Sequence, residues 1–188
     1  MSDLNILDAI SDPKVFGQHF RNRESWAGWF AFLAALFGLR IDADMRRVFM
    51  DCTQRHDRPS QLSTEAWLII GRRGGKSFVL ALIAVFLACF RDYRPFLGPG
   101  ERATVMVIAA DRKQARVIMR YVKGLLATVP MLKRLIEAER QESVDLANSV
   151  TIEVHTASFR TVRGYTIVAA LLDELAFWQG EDGANPDT

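Results

Sequence analysis

The spacing of apolar and polar positions changes several times along the chain, and each change predicts a different element. After Asp12-Pro13, residues 14–37 read as helical, with arginines at 21 and 23 and the densest apolar run at Trp26–Leu39. Gly38 and Arg40 fit the end of that helix. Residues 43–54 predict a second helix, with Met45, Val48 and Phe49 at helical spacing. The polar stretch 55–63 predicts a linker into a sheet-based core. Trp67–Ile70 then reads as a short strand, followed by a glycine-rich turn. The segment from about 76 to 90 is apolar on nearly every face, which predicts a buried helix. Two prolines and two glycines make 91–102 a loop.

Farther on, Thr104–Ala110 is continuously apolar, as in the buried strands of parallel sheets. Asp111 is placed to cap a helix in which Ala115, Ile118, Val122, Leu125 and Leu126 recur up to Pro130. Residues 131–147 are charged and predict helix at first. Val150–Val154 alternates with Thr151 and Glu153 and predicts a half-exposed strand. Finally, 166–174 (Thr-Ile-Val-Ala-Ala-Leu-Leu-Asp-Glu) predicts a fully buried strand ending in two carboxylates. The expected fold class is α/β, a parallel sheet flanked by helices. The expected division is a helical N-terminal region over 1–60 and the sheet-bearing core over 61–188.

Composition narrows this reading without redirecting it. The chain has 188 residues, is 49% hydrophobic and 24% charged, and carries a net charge of +2. That is globular usage, and too little charge to argue for nucleic acid except through local clusters. One such cluster is Arg112, Lys113, Arg116, Arg120 and Lys123, which reads as a solvated helix face or as a phosphate contact. Cys52 and Cys89 have no paired spacing, which predicts a reduced, cytosolic setting, and Cys52 with His56 is too small a set for a zinc site. Both long apolar runs fall short of the ~20 residues that cross a bilayer, and the N-terminus lacks a basic n-region, so neither a membrane span nor a signal peptide is expected.

The chemistry concentrates at two places. Gly71-Arg72-Arg73-Gly74-Gly75-Lys76-Ser77 joins the predicted strand to the predicted helix. Strand, glycine-rich loop and helix in that order let backbone N–H groups cradle a polyphosphate. Lys76 supplies a positive charge for the β- and γ-phosphates, and Ser77 a hydroxyl for Mg²⁺. The pattern departs from G-x-x-x-x-G-K-[ST] at its first position, where Ile70 stands. About one hundred residues on, Asp173 is placed to hold Mg²⁺, and Glu174 to orient and deprotonate the attacking water. Together the two motifs predict ATP binding and a P-loop NTPase-type core. Gln54 and Gln61 are candidates for contact with the base, with solvated surface as the alternative.

The chain resembles the large subunit of the tailed-bacteriophage terminase, the motor that packages DNA. The likeness runs over about residues 45–188. It rests on Arg72-Arg73-Gly74-Gly75-Lys76-Ser77, on Leu171-Leu172-Asp173-Glu174 followed by Leu-Ala-Phe-Trp178, and on Phe159–Gly164 with its Arg-Gly pair. The resemblance implies ATP hydrolysis with Mg²⁺. Lys76 and Ser77 bind the nucleotide, Asp173 the metal, and Glu174 is catalytic. Arg72, or next Arg73, senses or stabilises the γ-phosphate; a plain electrostatic role is equally consistent. It also implies double-stranded DNA, the terminase small subunit and the procapsid portal as partners, a homo-oligomeric ring when full-length, and the host cytoplasm as location.

A full large subunit continues into a coupling motif and a nuclease domain, whereas this sequence stops at Thr188. The expectation is therefore an incomplete ATPase core, an N-terminal fragment or truncated gene without nuclease activity. Two other readings stay open: a prophage remnant that binds nucleotide without hydrolysing it, and a helicase-like ATPase fragment.

Overall fold

A computed structural model describes residues 4–157 and 164–178. The chain divides into two compact units, one ending at Arg72 and the next beginning at Arg73.

The first unit is helical. Helix α1 (Ile6–Ser11) starts at Asn5, whose side chain accepts from Asp8 N, and ends at Asp12. Asp12-Pro13 therefore closes a helix instead of opening one. The predicted helix over 14–37 is broken into 3₁₀ turns at Gly17–His19 and Arg23–Trp26, and only Ala27–Leu36 forms α2. Aromatic packing explains the break: Phe20 meets Trp26 and Phe30 edge-on, and Arg23 lies over the Phe30 ring at 4.8 Å. A continuous helix could not fold Phe20 back onto its own downstream turn. Gly38 ends α2 in the left-handed region (φ +64), with Leu39 N donating to Ala34 O and Gly38 N to Ala35 O. Helix α3 (Ala43–Thr53) follows as expected, capped by Asp42.

Residues 66–70 do not form the predicted strand. Trp67 and Ile69 are among the most exposed apolar side chains of the unit. An apolar run specifies a strand only if a neighbouring edge accepts its backbone bonds, and composition cannot supply that partner.

The second unit opens with α4 (Lys76–Phe90), apolar all round and buried over most of its length. A five-stranded mixed sheet follows, in the order β2-β3-β4-β1-β5. Strands β1 (Ala103–Ala109), β4 (Val150–Thr156) and β5 (Thr166–Leu172) are parallel. Helices α5 (Arg112–Thr128) and α6 (Pro130–Lys133) lie between β1 and the hairpin in sequence. Because α4 and α5 pack against each other and both touch β1 and β4, they share one face of the sheet.

Two expectations need correction in this unit, and one is extended. The stretch 131–147 is helical at first, as expected, in α6; after Lys133 it forms an antiparallel hairpin, β2 (Ile136–Glu139) and β3 (Ser143–Leu146), that patterning did not predict. Its strands are four residues each, too short for a period of two to stand out among Glu137, Glu139, Arg140 and Glu142. Strand β4 is an interior strand with Thr151 only 6% exposed, because Asp145 and Arg102 bond its hydroxyl. Strand β5 is half exposed instead of fully buried. Among the described residues only β1 pairs with it, leaving Ile167 40% and Leu172 44% exposed. The structure is thus α/β with a mixed sheet and flanking helices, and no helix in the described residues is long and apolar enough to cross a membrane.

Candidate functional site

Register brings the chemistry to one end of the sheet. Ile108 of β1 is level with His155 of β4 and Leu172 of β5, so all three parallel strands finish along the same edge. Asp173 N donates to Ile108 O at 2.8 Å, which fixes the first acidic residue just past that edge. Ligands of open α/β sheets bind beyond the carboxyl ends of parallel strands, and the acidic pair stands there.

Helix α4 delivers Lys76 to the same place. Gly75 precedes the helix with φ +81, a conformation open to glycine at little cost, and offers no side-chain cap. The first backbone bond of the helix is Val79 N to Gly75 O. Lys76 Nζ lies 3.7 Å from Glu174 Oε1, with both side chains about 70% covered (30% and 27% exposed). Residues 98 positions apart in sequence therefore meet.

Glu174 is held on three sides. Its backbone is left-handed (φ 53, ψ 44), an uncommon state for a residue with a side chain, stored here beside the two charges. Oε1 faces Lys76, while Oε2 accepts a long bond of 3.5 Å from Gln114 Nε2. Gln114 belongs to the first turn of α5, where Asp111 Oδ1 accepts from the N–H groups of Lys113 and Gln114. Sequence patterning did not select Gln114. The available signal was its position three residues past the cap that ends a buried strand.

Asp173 is only 3% exposed, and its Oδ2 has no hydrogen-bond partner among the described residues. Burial pushes its pKa up, and the negative charge of Glu174 adds to the rise. Lys76 and the Glu174 backbone N–H oppose it. A desolvated, unpartnered carboxylate oxygen beside a second carboxylate favours a cation. Trp178 Nε1 donates to Asp173 O at 3.0 Å and pins the turn that carries both acids.

The other sequence candidates have the following surroundings. Arg72 and Arg73 are exposed, with no carboxylate within 4.0 Å among the described residues, and Arg73 has φ 63. Gly71 is exposed, and a Cβ added there would meet nothing within 4 Å. Gly74, Gly75 and Ser77 are half-buried. Gln54 is the exposed left-handed C-cap of α3, its Nε2 donating to Asp51 O, and the Gln61 backbone lies under Gly38. Both have local structural roles. Of the Phe159–Gly164 segment, residues 159–163 lie outside the described residues.

No curated protein sequence matches the chain. The family model for the N-terminal part of the terminase large subunit, T4-like-virus type, matches residues 68–185, well over half of the chain. The matched stretch carries Lys76, Ser77, Asp173 and Glu174 together. The chain belongs to the terminase large subunit family, as its N-terminal portion.

Proposed function

We propose that this portion binds and hydrolyses Mg-ATP as the motor part of a phage DNA-packaging terminase. One observation carries the proposal: Lys76 and Glu174 meet at 3.7 Å beside the buried, unpartnered Oδ2 of Asp173. A cation, a base and a metal-seeking carboxylate converge at the carboxyl edge of a parallel sheet. Each has the chemistry that a triphosphate and water require.

The chain's residues would act as follows. Backbone N–H groups of Lys76 and Ser77, at the start of α4, donate to phosphate oxygens. Lys76 exchanges Glu174 for the β- and γ-phosphates, which frees Oε1 to accept a proton from water. That water attacks the γ-phosphorus as the bond to the β-phosphate oxygen breaks. The hydroxyl of Ser77 and the carboxylate of Asp173 are hard oxygen donors of the kind Mg²⁺ prefers. When bound, that ion neutralises charge on the phosphate oxygens. Arg72 and Arg73, exposed and free of ion pairs among the described residues, can turn towards the γ-phosphate, where a guanidinium neutralises developing charge. Double-stranded DNA, the small subunit and the portal are the partners this reading implies, with a ring of subunits in the host cytoplasm for the full-length protein.

Thermal unfolding with Mg-ATP, followed by a phosphate-release assay, tests the reading. A ligand bound only by the folded state at 100 times its Kd adds about 2.7 kcal/mol, roughly 5–10 °C for a chain of this size. K76A is expected to lose that shift. E174Q is expected to keep the shift and lose turnover by about 10²-fold or more. Full turnover in E174Q removes Glu174 from the role of base. A shift without turnover in the wild type identifies a nucleotide binder that does not hydrolyse.

A further inference from the structure

The basic residues of the second unit are unevenly placed. The whole chain nets +2, yet α5 alone carries Arg112, Lys113, Arg116, Arg120 and Lys123 and no carboxylate. At 100° per residue these five fall within an arc of about 100°, next to but not overlapping the buried stripe of Ala115, Ile118, Met119, Val122, Leu125 and Leu126. The stripe is about 16 Å long, the rise of some five base pairs of duplex. Lys123 is already engaged, bonding Arg140 O at 2.6 Å and facing Glu139 at 3.8 Å. The other four are exposed, and none has a carboxylate within 4.0 Å among the described residues. Exposed charges used only for solubility are commonly interspersed with the opposite sign. A single-sign stripe on one rigid helix instead suits a regular polyanion.

The same helix touches the site. Gln114 donates to Glu174 Oε2 at 3.5 Å, within the turn that begins the stripe. A load on Arg116 or Arg120 is thus applied to the rigid element that holds Glu174.

We propose that α5 is a nucleic-acid lever: its basic stripe lies along the phosphate backbone of duplex DNA, and Gln114 passes that engagement to Glu174. The proposal rests on the nucleotide-binding reading above for its second half only. DNA contact loads α5, Gln114 then holds Glu174 away from Lys76, and the lysine is released towards the phosphates. Linkage requires the reverse as well, so bound nucleotide changes DNA affinity by the same factor.

Fluorescence anisotropy with a labelled 20-base-pair duplex of mixed sequence, over a salt series, tests the stripe on the full chain. The variant R116A/R120A is expected to reduce the slope of log affinity against log salt by about 2, since each phosphate contact contributes about 0.9. The charge-matched variant K133A/R134A, on α6, is expected to leave the slope unchanged. An unchanged slope in R116A/R120A overturns the stripe. An equal fall in both variants also overturns it, because binding would then follow diffuse surface charge. Mg-ATP affinity, measured by thermal shift with and without the duplex, tests the coupling. The wild type is expected to show a several-fold difference, and Q114A to show none while still binding the duplex. The same difference in Q114A, or none in the wild type, overturns the lever. A chain that never responds to Mg-ATP sinks the proposed hydrolase and the coupling. One that responds normally but keeps its salt slope in R116A/R120A sinks only the stripe.

Discussion

At Asp173 the stability of the fold and the proposed metal-binding role pull in opposite directions. Folding buries its carboxyl beside Glu174 and leaves Oδ2 without a partner, so the native state favours the protonated form. A raised native pKa contributes stability that is fully present below the ordinary carboxylate value, near about 4. That contribution is lost as the pH rises through the elevated native value. At pH 8 and without Mg²⁺, D173N is therefore expected to melt above the wild type. The gap is expected to close as the pH falls towards 4. On the proposed role of Asp173 as a metal-holding carboxylate, adding Mg-ATP is expected to reverse the order. If D173N melts below the wild type at pH 8 without metal, the burial cost is already offset within the protein. Such trade-offs are common where a site holds a charge in readiness for a ligand.

At the scale of elements, two glycines make opposite predictions. Gly38 closes α2 at φ +64, and a Cβ there would stand 2.4–2.6 Å from the backbone of Gln61. G38A is expected to cost about 1–3 kcal/mol, through both the left-handed backbone and the clash. Gly124 lies on the exposed side of α5, and a Cβ there meets nothing within 4 Å. G124A is expected to stabilise by about 0.4–1 kcal/mol, by lowering the entropy of the unfolded chain. Chemical denaturation of the pair checks both signs. A stabilised G38A would mean that the turn between α2 and Gln61 relaxes. The same helix shows how far patterning reaches: the apolar period and the Asp111 cap gave α5 correctly to Pro130, whereas the β2–β3 hairpin was hidden by its charges.

Across the whole molecule, the second unit ends its described sheet on an apolar strand. Strand β5 reads Thr-Ile-Val-Ala-Ala-Leu-Leu, pairs with β1 alone among the described residues, and exposes Ile167 and Leu172. An open apolar edge invites further strand pairing, and a single lysine is an effective block. I167K is expected to leave stability within about 0.5 kcal/mol and to reduce concentration-dependent light scattering. A strongly destabilised I167K would show that the chain itself covers this edge. Terminase large subunits act in phage DNA packaging, and partners in that assembly meet the chain at its surface. The edge of β5 and the basic stripe of α5 are the two surfaces whose chemistry stands out here.

Sequence alone determined the helices whose periodicity is long and whose caps are local: α3, α4 and α5, together with the left-handed turn at Gly38. It also singled out Lys76, Ser77, Asp173 and Glu174, by residue type and by the apolar segments around them. Tertiary structure decided which apolar runs became strands. Residues 66–70 had the composition but pair with no strand among the described residues, while Thr151 of β4 donates to Asp145 and accepts from Arg102, contacts that no local pattern encodes. It alone brought Gln114 to Glu174 and left Oδ2 of Asp173 without a partner. Helix periodicity and caps are written in neighbouring residues, whereas strand pairing and carboxylate desolvation depend on residues far away in the chain, which only the folded backbone brings near.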